Sequence, residues 1–164
     1  VLTPMLMVLA MITGDFLAMS STTDNVQASP RPNAWRIGSL TIVGAVLGLC
    51  DLAFCAGVLA YGTYRLGLTI AALQTLTLVT LVFNGQAVFY AVRERRRLWS
   101  SRPSKTVVLA SLADILIVPT MAATGTLMTP LPLTIILGAF AAALVLAFVL
   151  DAIKAAIFAR LKMV

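Results

Sequence analysis

Five apolar runs, Leu2–Met19, Ile37–Tyr61, Gly67–Val92, Thr106–Leu127 and Leu131–Ala159, alternate with short polar stretches that carry most of the charge. Each run is close to or above the roughly 20 residues that a helix needs to cross a bilayer's hydrocarbon core. Inside that core no water pairs the backbone polar groups, so a spanning segment must be a helix or part of a closed barrel. The short alternating segments with frequent turns that mark a barrel are absent from the sequence. The pattern predicts an all-α integral membrane fold of five transmembrane helices, at about 2–19, 37–61, 67–92, 106–127 and 131–159, joined by longer loops at 20–36 and 93–105.

Composition agrees. Of 164 residues, 60% are hydrophobic and only 11% charged, against about 25% charged in soluble domains. The net charge of +6 would suggest nucleic acid on a soluble protein. Here the basic residues sit between apolar runs, so lipid and topology account for them and no nucleic-acid partner is expected. On one side of the membrane fall ten of them, at Arg31, Arg36, the stretch Arg93–Lys105, Arg160 and Lys162, against Arg65 alone on the other. Positive residues stay inside, which predicts an outside N-terminus, a cytoplasmic C-terminus and cytoplasmic loops at 20–36 and 93–105. Arg95–Arg97 reads as the inside anchor. Pro30 and Pro32 break any helix in the first loop, and Trp35 suits the interface before the second span. The chain opens on Val1 within an apolar run, without the features of a signal peptide, and reads as part of something longer.

The informative residues are the polar ones inside the spans. Asp15 interrupts the first run, and a carboxylate at the bilayer centre costs about 2.5–3.5 kcal/mol on insertion scales, so such acids mark ion or proton pathways. Gly14 and Thr13 precede it, and with Pro4 they suggest a locally opened helix with freed carbonyls. Asp51 and Asp114 also lie mid-span, either as support for Asp15 in a polar cavity or as structural hydrogen-bond partners. A kink at Pro119 would open room beside Asp114. Asn84 and Gln86, flanking Gly85, read as interhelical glue. Asp151 and Lys154 are spaced to pair on one helix face, with the lysine snorkelling to the interface. Cys50 and Cys55 point in different directions on a helix and no histidine exists, so no metal site is expected. Nor is there a phosphate-binding loop, a phosphorylation motif or any catalytic constellation. The chain by itself is expected to bind no cofactor and hydrolyse nothing.

The stretch ITGDFLAMSSTTDNVQASPRPNAW resembles the sixth transmembrane helix and following loop of P-type ATPases, above all the plasma-membrane proton-pump branch. There a membrane aspartate is followed nine residues later by a D-x-V aspartate, then S-P-x-P and a tryptophan. These are Asp15, Asp24 with Val26, Ser29-Pro30-Arg31-Pro32 and Trp35. The third run with its loop, LQTLTLVTLVFNGQAVFYAVRERRRLWSSRPS, is similar to the eighth helix. GTLMTPLP and LDAIKAAIFARL look like the ninth-to-tenth turn and the tenth helix of prokaryotic members. The resemblance covers essentially the whole chain as helices six to ten, and the charge-derived topology matches it.

What the resemblance implies is the ion-pathway part of an ATP-driven proton exporter in the plasma membrane. Asp15 would bind the transported ion and Asp24 would lie in a loop that meets the phosphorylation domain. The parent pump would use Mg2+ and ATP, and its partners for this chain would be the preceding helices, the cytoplasmic domains and lipid. Gly14 departs from the Asn of plant and fungal members, and the phosphorylation and nucleotide domains lie outside this sequence. Alternatives are a pump for magnesium or calcium, a non-enzymatic truncated or accessory membrane module, and a small secondary transporter. Divalent ions want several hard oxygen ligands, and a single carboxylate with Thr13 suits a proton better.

Overall fold

A computed structural model describes residues 2–25, 37–93 and 101–160. It contains α1 (Pro4–Ser21), α2 (Ile37–Tyr64), α3 (Ile70–Arg93), α4 (Lys105–Thr124) and α5 (Leu133–Arg160). All five are long and apolar enough to cross a membrane, and no strand occurs among the described residues. The protein is a multi-pass, all-helical membrane protein.

Local chemistry sets the helix ends. Thr3 caps α1 by accepting the Leu6 N–H at 3.3 Å, and Pro4 occupies the first turn, where its missing N–H costs nothing. Pro4 therefore frees no carbonyl, and α1 runs unbroken through Gly14 and Asp15. This corrects the expected opening: a mid-helix glycine costs about 1 kcal/mol, less than unpaired backbone groups in hydrocarbon. Helix α3 starts at Ile70 rather than Gly67, because Gly67 turns at φ 58° and Thr69 accepts the Ala72 N–H at 3.3 Å. Helix α4 is capped by Ser104, which accepts from Val107 at 3.2 Å. It stops at Thr124, short of the end of its apolar run, because Gly125 is left-handed at φ 76° and its N–H returns to the Met121 carbonyl.

Helix α3 is the most buried of the five and packs against all four others. Around it runs an arc in the order α1, α4, α5, α2, each touching the next, whereas α1 and α2 do not meet among the described residues. Leu76, Val79 and Phe83 of α3 are buried in one cluster with Ile136, Ala139 and Ala143 of α5, and Phe83 meets Phe140 edge-on at 5.1 Å. Helix α2 approaches α3 closely at Gly62, where a Cβ would stand 2.8 Å from the Leu76 side chain.

Near the end of α3 a second buried cluster holds Ala91 and Leu150. Asp151 and Lys154 pair there at 2.9 Å, as their spacing predicts. The lysine does not snorkel, however: it is 1% exposed and donates to the Ala91 carbonyl at 2.7 Å. That carbonyl belongs to the last turn of α3, which lacks intrahelical donors and carries partial negative charge. An ammonium held by both a carboxylate and a helix end gains more from staying in than from reaching water.

Candidate functional site

Helix α1 presents two faces. Ala10, Thr13, Gly14 and Leu17 follow helical spacing and border a cleft against α3 and α4, with Gly14 exposed and Leu17 buried, and the Thr13 hydroxyl donates to the Ala10 carbonyl at 3.0 Å. Asp15 is exposed, beside Met11, Phe16 and Met19, which are 68%, 63% and 71% exposed. No hydrogen bond or ion pair reaches its carboxylate from the described residues. A charged group on that apolar face is unstable against hydrocarbon, so the face suits protein or a water-filled path.

Asn84-Gly85-Gln86 on α3 builds two carboxylate–amide pairs. Residues two apart on a helix are rotated by about 200°, so the amides reach opposite neighbours. Asn84 Nδ2 donates to Asp51 Oδ1 of α2, and to Cys55 Sγ at 3.4 Å. Gln86 Nε2 donates to Asp114 Oδ2 of α4 at 2.9 Å. Asn84, Gln86 and Asp114 are all buried, and the amide oxygens Asn84 Oδ1 and Gln86 Oε1 have no partner among the described residues. The amides do act between helices as their residue type suggests; that each would take a carboxylate is visible only in the fold. Asp51 is not brought to Asp15, since α1 and α2 do not touch among the described residues. Thr13 and Asp114 are brought together: with Gly14, Gly85 and Gln86 they wall a cavity of about 70 Å³ that Asp15 does not line.

Where α1 ends, Asp24 forms a clamp. Arg93 Nε donates to its Oδ2, and the backbone N–H groups of Ser104 and Asn25 donate to its Oδ1 at 3.0 and 2.9 Å. Arg93 also reaches the Ser101 carbonyl and hydroxyl at 3.2 and 3.1 Å. One carboxylate thereby joins the exit of α1 to the end of α3 and the start of α4. Arg93 was legible only as part of a basic loop; nothing in the sequence pairs it with a residue 69 positions earlier. Expectations for Pro30, Pro32, Trp35 and Arg95–Arg97 fall outside the described residues.

Burial by itself would raise the Asp24 pKa, but the Arg93, Ser104 and Asn25 donors outweigh it and hold the carboxyl below its ordinary 3.8. A group with a depressed folded pKa stabilises fully above its unfolded value and loses that contribution as pH falls through the folded one. Acid unfolding of the wild type is expected to steepen below about pH 4, and Asp24→Asn should remove that steepening. Equal slopes for the two proteins in a pH series of detergent-solubilised unfolding would refute the clamp's contribution.

No family model matches the chain. Over 162 residues it is 29% identical to a Methanocaldococcus jannaschii protein that carries the provisional name of a cation-transporting ATPase. The match takes in 98% of this chain and 20% of that protein, so the chain spans about a fifth of its relative's length.

Proposed function

We propose that the chain forms the ion-pathway helices six to ten of a P-type cation pump of the cell membrane, that the cation is a proton, and that Asp15 carries it. The observation that bears most weight is the Asp15 carboxylate on an otherwise apolar face of a continuous membrane helix. An acid so placed needs a protein or water partner, and a transported ion is a reason for it to be there. The end-to-end similarity to a protein named as a cation-transporting ATPase supports the coarser part of the assignment. The proton branch rests on the spacing from Asp15 to Asp24, Pro30, Pro32 and Trp35.

In this scheme the N-terminus lies outside and the C-terminus in the cytoplasm. The loop after α1 meets the phosphorylation domain, and Asp24, braced by Arg93 and Ser104, passes that domain's movement to α3 and α4. The whole protein would hydrolyse ATP with Mg2+ in domains outside this chain. The test uses inside-out vesicles of the complete pump. ATP is expected to acidify the lumen, and an impermeant thiol reagent should label a cysteine at position 101 from the bath. ATP-driven uptake of magnesium or calcium without acidification would give the site to a divalent ion. Labelling at 101 only after the vesicles are opened would reverse the topology.

A further inference from the structure

Helices α2 and α5 close on each other along only part of their length. At one end Val43 and Leu47 of α2 are buried in one cluster with Leu146 and Leu150 of α5. Toward the other end they part. Gly57 and Tyr61 of α2, Gly138 and Ala142 of α5 and Leu76 of α3 border an open-sided groove of about 580 Å³. Among the described residues, a Cβ added at Gly57 or Gly138 would meet nothing within 4 Å. Small residues on membrane helices normally let two backbones approach closely; here they face open space. All three helices are spanning segments, so the groove opens into hydrocarbon, and apolar walls of this kind do not hold water.

The length of the groove identifies its occupant. Thr134 and Ala142 both stand in the wall, and between them a helix rises about 12 Å. One leaflet's half of the hydrocarbon core is about 15 Å thick. A spanning partner helix would need about 30 Å and would run onto the end where α2 and α5 are packed together. The mouth carries headgroup chemistry. Tyr61 and Tyr64, 59% and 85% exposed, stand at the exit of α2, as in the aromatic belt at a membrane interface. Exposed Arg65 follows, beside the wall residue Leu66, and residues 61–70 and 125–135, which border this end, contain no acid. We infer that the groove seats one acyl chain of a bound phospholipid, with its phosphate at the level of Arg65 and an anionic headgroup preferred. On the topology proposed above it is an outer-leaflet lipid. The seat itself does not depend on what the protein transports or on Asp15.

The test is photocrosslinking of the whole protein in bilayers containing phosphatidylglycerol with a diazirine on its acyl chain, followed by peptide mapping. Adducts are expected to concentrate on α2 between Phe54 and Tyr61 and on α5 between Thr134 and Ala142. Gly57→Leu with Gly138→Leu fills the groove with a residue that helices favour over glycine. It should cut those adducts about tenfold, equivalent to about 1.4 kcal/mol, while adducts at Leu116, 63% exposed on α4, persist. Ala142→Leu is a smaller filling change and serves if the double variant does not fold. Arg65→Gln should lower the groove yield from phosphatidylglycerol severalfold and leave the yield from a phosphatidylcholine probe unchanged. Adducts spread evenly over every exposed helix face, or kept at the groove in the filled variants, would make the lipid ordinary solvent and overturn the seat. Equal phosphatidylglycerol yields from wild type and Arg65→Gln would overturn the headgroup assignment. If lipid adducts are absent and Gly138→Cys joins two copies through a disulfide under copper oxidation, the occupant is a second copy and the proposal fails.

Discussion

Under the proposed function, Asp15→Asn in the whole protein is expected to abolish ATP-driven proton movement while leaving assembly and ATP binding intact. The amide matches the carboxyl in size and cannot ionise, so it removes charge and proton exchange with little change in shape. Nothing among the described residues depends on the carboxylate: it is exposed on α1 and makes no hydrogen bond within them. The packing of α1 rests on the other face, through Leu6 and Leu17, both buried, so the fold should survive. Asp15→Glu keeps an ionisable group one methylene further out and should retain part of the transport. Inside-out vesicles give the decision, with lumen acidification followed against an equal amount of pump protein. Acidification by the Asn variant at the wild-type rate would remove Asp15 as carrier and leave it a packing residue.

The largest effect on stability is expected at Lys154. Lys154→Met keeps the aliphatic stem but strips the ammonium from Asp151 and from the Ala91 carbonyl, both in the buried cluster region around Leu150. Removing one partner of a buried ion pair costs about 3–5 kcal/mol, whereas replacing both by apolar residues of similar volume is often near neutral. The double variant Asp151→Leu, Lys154→Met should therefore recover most of the loss. It should not recover all of it, because the α3 carbonyl still lacks its donor, worth about 1–2 kcal/mol. Reversible unfolding in mixed micelles measures both. A single variant within about 0.5 kcal/mol of wild type, the range of ordinary surface changes, would mean that the pair contributes nothing.

These two residues divide what the chain declares from what folding decides. The number and extent of the spans, and the odd acid at position 15, are properties of consecutive residues: backbone groups in hydrocarbon must pair locally, so length and apolarity are enough to give a helix. The i, i+3 pairing of Asp151 with Lys154 is likewise local. The unbroken course of α1 was also available locally, once Pro4 is recognised as a first-turn residue.

Everything that depends on which helix faces which was decided by tertiary structure. A five-helix sequence in which the runs are apolar all round has no single stripe to say where its neighbours lie, and in lipid packing follows small residues and polar partners rather than burial of an apolar face. Only the fold joins Asp24 to Arg93, sends Asn84 to Asp51 and Gln86 to Asp114 from opposite sides of α3, and draws Lys154 inward to the end of that helix. Helix spacing already sets Thr13 and Asp15 on different sides of α1, but only the packing decides which side meets α3 and α4 and which is left open. The physical reason is that a polar side chain gains most from a partner where water is scarce, and the sequence names the side chain but not the neighbour that the packing brings to it.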